Sequence, residues 1–178
     1  MKDFSKIKLL IIDNDGVFTD GRIIYDNNQI ESKNFSAKDG LGIRLLQQAG
    51  IQLAIITGRT SKLLEKRCAD LNITLLFQKV RNKLKKAEEL LYELNLEWEN
   101  VAYLGDDWND FPVMRHCAIT AAPADAFPAF QEKVDFVLTR KGGKGAVREF
   151  IELILNEQGI LHETIDKLVS LLGSLENE

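Results

Sequence analysis

Two acid-rich segments carry most of the chemistry that this 178-residue chain could perform. Asp13-Asn14-Asp15-Gly16-Val17-Phe18-Thr19-Asp20-Gly21 follows one apolar run, and Leu104-Gly105-Asp106-Asp107-Trp108-Asn109-Asp110 continues another. Carboxylates set beside a buried strand end repel one another and lose hydration, so a cluster of them calls for a cation or a shared proton. Neither His nor Cys accompanies these acids, which disfavours zinc. An all-oxygen set suits Mg²⁺, a hard ion that combines few carboxylates with water and phosphate oxygens. Taken singly, the first segment also fits an Asx-rich turn and the second a helix N-cap. Thr57-Gly58 offers a hydroxyl and a backbone N–H to an anion near a helix start, with Gly58 permitting a sharp turn. Lys83 opens a helical stretch and could reach the same anion, whereas Lys79, Arg81, Lys85 and Lys86 read as a solvated face.

Those groups need a common edge to act together. Apolar runs at residues 7–12, 51–56, 73–77, 101–104, 118–121 and 134–138 read as strands, most of them covered on both faces. Helical spacing lies between or after them at 40–49, 61–71, 83–94, 109–116, 126–133 and 145–156. The order predicts an α/β fold, a Rossmann-like parallel sheet with helices on both faces, whose ligands bind beyond the carboxyl ends of the strands. Residues 21–35 interrupt the alternation as an inserted β-hairpin around the polar Asp26-Asn27-Asn28 turn. We expect one catalytic domain over 1–158 and an amphipathic tail over 159–178, with Leu161, Ile165, Leu168, Val169, Leu172 and Leu175 on its apolar stripe. The intervals between the motifs leave no room for a large cap domain. Hairpin and tail are therefore the candidates to cover a substrate, a tail packed on its own core being the plainer alternative.

Composition excludes several classes. With 45% hydrophobic and 28% charged residues the chain reads as soluble and globular, and no apolar run approaches the roughly 18 residues of a membrane span. A net charge of −4 weighs against a nucleic-acid partner. Met1-Lys2-Asp3-Phe4-Ser5-Lys6 lacks the features of a signal peptide, so a cytoplasmic location is expected. Cys68 and Cys117 show no CxxC spacing and read as buried thiols, and His116, His162, Trp98 and Trp108 read as structural.

Together the motifs resemble those of the haloacid dehalogenase-like hydrolases. Asp13 to Thr19 matches the Asp-x-Asp-Gly-x-x-Thr motif, Thr57 the second, Lys83 the third, and Asp106 with Asp107 or Asp110 the acidic fourth. Within that superfamily the chain is similar to phosphatases of sugar-acid phosphates. That closer likeness rests on Thr19-Asp20-Gly21, Asp39-Gly40-Leu41-Gly42, Thr57-Gly58-Arg59 and Gly142-Gly143-Lys144-Gly145-Ala146 with Arg148-Glu149. Two positions depart from the pattern: Asn14 stands where an apolar or small residue is usual, and Lys79 where glycine is usual.

The resemblance implies a Mg²⁺-dependent phosphomonoester hydrolase, with a small sugar-acid phosphate as substrate and a homotetramer as the assembly. Asp13 would attack phosphorus and Asp15 would handle the proton. Asp13 and Asp106 would hold the ion by side chain and Asp15 by its carbonyl, with Asp107 or Asp110 acting through water or hydrogen bonds behind them. Thr57, Gly58 and Lys83 would bind the phosphoryl group, and Arg59, Lys144 and Arg148 are candidates for the substrate carboxylate. A carboxylate about 4 Å from a phosphate dianion is repelled by about 8 kcal/mol at an effective dielectric near 20, which a divalent ion must offset. A phosphatase for a nine-carbon sugar acid, and a non-catalytic oligomerisation module, are the competing readings.

Overall fold

The computed structural model describes residues 2–175. Its elements are β1 (Leu9–Ile12), β2 (Ile24–Tyr25), β3 (Glu31–Ser32), α1 (Ala37–Gln48), β4 (Gln52–Ile56), α2 (Lys62–Asp70), β5 (Leu75–Phe77), α3 (Lys83–Leu94), β6 (Val101–Leu104), α4 (Phe111–Met114), β7 (Ile119–Ala122), α5 (Pro128–Gln131), β8 (Phe136–Val137), α6 (Ala146–Glu157) and α7 (Leu161–Leu175). Six strands pair in parallel in the order β5-β4-β1-β6-β7-β8. This is the Rossmann-like α/β sheet that the alternation of runs predicts.

Strand β1 shows why its sequence is apolar at every position. Leu10 and Ile12 face a layer built by Ile43 and Leu46 of α1 and Phe150 and Ile154 of α6, while Leu9 and Ile11 face Leu90 of α3, Val113 of α4 and Phe130 of α5. All four β1 side chains are fully buried. At about 1.5–3 kcal/mol each, they supply roughly 6–12 kcal/mol to a strand that must end in an acid.

Several boundaries differ from expectation, each for a local reason. Helices expected over 109–116 and 126–133 shrink to four residues each. Pro112 and Pro128 lack an N–H and fit only the first helical turn, so neither helix starts earlier. The edge strands β5 and β8 pair on one side only and are shorter than their apolar runs. Helix α1 starts at Ala37, before the expected Gly40, because Ser36 caps it by accepting the N–H groups of Lys38 and Asp39.

The insertion is an antiparallel hairpin, with Ile24 opposite Ser32 and Tyr25 opposite Glu31. Asp26 Oδ1 closes its turn by accepting the N–H of Asn28 at 2.9 Å and of Ile30 at 2.8 Å. Helix α7 packs along α1 and α6 of its own chain, with Leu168 buried and Ile165 and Leu172 partly so. Val169, expected on the apolar stripe, is exposed, since it lies about 100° around the helix from Leu168. Leu168, Leu171 and Leu172 border Arg44, Gln47, Gln48 and Asn72, at the end of α1 that leads into β4 and away from the carboxyl ends of the strands. The last part of the expected tail, residues 176–178, lies outside the described residues.

Lys79 has φ 58°, the left-handed region that glycine tolerates best, in the loop leading to α3. Lys79→Gly should therefore stabilise the fold by roughly 0.5–1 kcal/mol, the left-handed penalty less the extra entropy glycine loses on folding. Urea denaturation checks this, and an unchanged or lower midpoint would show that the lysine conformation carries no strain.

Candidate active site

Asp13 stands one residue beyond β1, and its N–H donates to the Leu104 carbonyl at 3.1 Å, extending the ladder to the end of the sheet. Ile12 and Leu104 are partners in register, so the loops after β1 and β6 leave from adjacent strands and run in opposite directions, towards β4 and towards β7. A crevice opens where strand order switches in this way. Two glycines let the loops approach each other. Gly16 has φ 93°, and a Cβ there would meet Asp106 Oδ2 at 2.0 Å; at Gly105 a Cβ would meet the Asp110 side chain at 2.7 Å. Thr19 ties the first loop by donating its N–H to the Asn14 carbonyl at 2.9 Å.

The carboxylates of Asp13, Asp106 and Asp110 converge, one oxygen of each lying within 4.8 Å of the others. Asp110 is fully buried and fully engaged. Its Oδ1 accepts from Lys83 Nζ at 2.6 Å and from the Tyr103 hydroxyl at 2.8 Å, and its Oδ2 accepts from the Asp106 N–H at 3.2 Å. Lys83 Nζ also lies 2.9 Å from Asp13 Oδ1, an ion pair without hydrogen-bond alignment, since that oxygen has no hydrogen-bond partner. Were all three carboxylates ionised, they would outnumber the one ammonium by two charges. Burial, then the Asp110 carboxylate, pushes Asp13 up to about 7. Burial and the neighbouring Asp110, Asp13 and Asp107 push Asp106 up to about 8. For Lys83, burial works against the ammonium, but Asp110 and Asp13 outweigh it and raise its pKa. Asp107 stays outside this trio, its Oδ1 accepting the Trp108 N–H at 2.7 Å within its own turn.

Asp15 faces the hairpin. Its Oδ1 accepts from Lys33 Nζ at 2.5 Å and Asn14 Nδ2 at 2.9 Å, and its Oδ2 lies 3.6 Å from Arg59 Nε. Arg59 donates to the Tyr25 hydroxyl at 3.1 Å and to Glu31 at 3.5 Å. Glu31 also accepts from the Ser61 hydroxyl at 2.7 Å. Hairpin and crevice are thus joined by charge. Thr57 is buried at the end of β4, with its N–H donating to the Phe77 carbonyl and its own carbonyl accepting from Val80. The chain does bend at Gly58 and Arg59, but Gly58 is not in the left-handed region and a Cβ there would meet its nearest atom at an ordinary 3.7 Å, so the bend does not itself require glycine. Three further residues, Arg59 to Ser61, then lead into α2.

Lys144 and Arg148 do not join the acidic crevice. They line a separate cavity of about 300 Å³ with Lys38 and Arg140, and Arg148 Nε donates to Glu152 at 2.6 Å. The cavity at Asp106 is lined instead by Gly16, Asp20, Gly21, Arg22, Asp125 and Ala126. Sequence reasoning passed over Lys33, Glu31 and Tyr103. The signal for the first two was present: Glu31, Lys33 and Phe35 alternate along the extended segment from β3 to the Thr19–Phe35 bridge, and Phe35 is an apolar, inward residue packed on Phe18 at 5.1 Å.

A family model of haloacid dehalogenase-like hydrolases matches residues 72–151. The 3-deoxy-D-manno-octulosonate 8-phosphate phosphatase of Escherichia coli strain K12 is 49% identical over 157 residues, which are 88% of this chain and 84% of that protein. The crystal structure of the phosphatase of that name from Yersinia pestis superposes with a TM-score of 0.87 at 47% identity, over 89% of this chain and 86% of that one. The Moraxella catarrhalis phosphatase, solved in complex with magnesium ion, phosphate ion and a KDO molecule, gives 0.89 at 37% identity, over 93% of this chain and 95% of that one. The fold, the order of the acidic loops and these likenesses agree: the chain belongs to the haloacid dehalogenase-like hydrolases.

Proposed function

We propose that this protein is a Mg²⁺-dependent phosphatase that hydrolyses 3-deoxy-D-manno-octulosonate 8-phosphate to the free sugar acid and inorganic phosphate, a step in making lipopolysaccharide precursor. The observation that carries the reaction type is the convergence of Asp13, Asp106 and Asp110 at one site, with Lys83 pairing only Asp13 and Asp110. The substrate rests on the 49% identity to the Escherichia coli enzyme and on the sugar acid and phosphate held by the Moraxella catarrhalis one.

The donors fit Mg²⁺: they are oxygens only, and Asp13 Oδ1 is a buried acceptor with no hydrogen bond of its own. Asp13 and Asp106 would hold the ion by side chain and Asp15 by its carbonyl, with Asp110 fixing Lys83 and the Asp106 backbone behind them. Bound there, Mg²⁺ supplies positive charge that offsets the repulsion between an incoming phosphate and the acids. Asp13 attacks phosphorus and forms an aspartyl-phosphate as the ester P–O bond breaks. Asp15 gives a proton to the departing alkoxide, then takes one from the water that releases phosphate and regenerates Asp13. Thr57, the Gly58 N–H and Lys83 hold the phosphoryl oxygens. Arg59, beside Asp15, is the cation best placed for the sugar acid; in the separate cavity Lys144 and Arg148 would serve a substrate only at its far end.

No helix among the described residues is long and apolar enough to cross a membrane. We place the enzyme in the cytoplasm, where its two free cysteines, both buried, would stay reduced. We assign it a homotetramer built through the hairpin, on the support of the exposed Ile23, Ile24, Tyr25 and Ile30.

In steady-state assays with Mg²⁺, kcat/KM for the eight-carbon sugar-acid phosphate should exceed that for simple sugar phosphates by at least about 10²-fold. Asp13→Asn should lower it by at least about 10³-fold. Comparable ratios would overturn the substrate and leave the reaction type standing, a preference for a nine-carbon sugar acid would replace it, and activity surviving in Asp13→Asn would remove the nucleophile.

The acids also set a pH dependence. Without metal, folded Asp13 and Asp106 titrate at about 7 and about 8, far above the ordinary 3.8, so the folded state holds protons that the unfolded chain releases. Their contribution to stability is complete below the ordinary value and is lost as pH rises through 7 and 8. Mg²⁺ replaces those protons, so its stabilisation should be larger at about pH 8.5 than at about pH 5.5. Thermal melts in EDTA and in Mg²⁺ read this out; an equal gain at both pH values contradicts it.

A further inference from the structure

We propose that Lys33, the residue after the hairpin's returning strand β3, is the positioning residue for the proton-transfer carboxyl of Asp15. The inference rests on the reading of Asp15 as the group that protonates the leaving alkoxide. Lys33 Nζ donates to Asp15 Oδ1 at 2.5 Å, and its side chain is only 1% exposed. A buried ammonium is costly unless its partners are fixed, and here they are Asp15 and, at 3.6 Å, Glu31 Oε1. Glu31 is itself held by Arg59 and by the Ser61 hydroxyl, so the cation cannot swing away from the crevice without breaking a chain of charged contacts. The base of the hairpin is pinned by the Thr19–Phe35 bridge and the Phe18–Phe35 ring contact.

The two oxygens of Asp15 are therefore unequal. Oδ1 is occupied twice, by Lys33 and by the Asn14 amide. Oδ2 is buried, without a hydrogen-bond partner, and has only the Arg59 guanidinium at 3.6 Å. Lys33 and Asn14 fix the carboxyl by one oxygen and leave the other free of hydrogen bonds; once Arg59, which covers it here, turns to the sugar acid, that oxygen can exchange the proton with the leaving oxygen and then with water. Asn14 supplies the second contact, at 2.9 Å.

A positioning role has a signature that loss of packing lacks. Breaking the bond to a primary alkoxide needs the proton, whereas 4-nitrophenolate leaves without one, and kcat/KM reports the steps through transfer to Asp13. Wild type, Lys33→Met, Lys33→Arg and Asp15→Asn are compared, with Mg²⁺, on 3-deoxy-D-manno-octulosonate 8-phosphate and 4-nitrophenyl phosphate. Lys33→Met should lose about 10–100-fold on the alkyl ester and less than about threefold on the aryl ester, with Lys33→Arg recovering most of the loss. Equal losses on both esters in Lys33→Met, while Asp15→Asn stays selective for the alkyl ester, overturn the proposal alone. Equal losses in Asp15→Asn overturn the reading beneath it. Should Lys33→Met fail to fold, Lys33→Gln, which keeps a donor but not the charge, carries the same comparison.

Discussion

Mutual repulsion among Asp13, Asp106 and Asp110, only partly relieved by Lys83, is the constraint around which the molecule is built. Fully buried apolar strands hold the acids at the sheet edge, since a strand of lower burial energy would relax and let them part. Asp110 engages both its oxygens, with Lys83, Tyr103 and the Asp106 N–H, so it fixes the other two acids more than it competes with them for a ligand. Gly16 and Gly105 are the steric condition for this, because any side chain at either position would occupy the space of a carboxylate. The strain is electrostatic and is stored where chemistry needs it: the same charges that disfavour the metal-free site favour a divalent ion.

On the proposed reading, the hairpin takes on part of the work that a cap domain would otherwise do. Ile24 and Ile30 are exposed on one face, whereas Glu31 and Lys33, with Tyr25 opposite Glu31, turn to Asp15 and Arg59. A short two-stranded ribbon is marginal by itself, and this one is held by ion pairs to the catalytic loop more than by its own few ladder bonds. Helix α7, in contrast, is spent on covering α1 and α6 within the chain.

Much of this was legible in the sequence, because burial on both faces leaves continuous apolar runs and because acids after such runs have few ordinary explanations. Strands β1, β4 and β6 and the positions of Asp13, Thr57 and Asp106 follow from that alone. Less was legible where a residue's partner is distant. Nothing local separates Asp107 from Asp110; only the fold brings Tyr103 and Lys83 to the latter. Lys33 looked like one more polar hairpin residue until its alternation with Phe35 was tied to the packing of Phe18. Pro112 and Pro128 set late starts for two helices whose apolar spacing suggested more, and Val169 shows that helical spacing marks an apolar stripe without saying how wide a neighbour covers it.

The central claim is that acids from the loops after β1 and β6 gather around one divalent ion and present Asp13 to phosphorus. A crystal structure with Mg²⁺ and vanadate tests it most directly. The account predicts the ion on side-chain oxygens of Asp13 and Asp106 and the Asp15 carbonyl, with vanadium against Asp13 and its oxygens met by Thr57 and Lys83. An ion bound elsewhere, or vanadate seated away from Asp13, would contradict it.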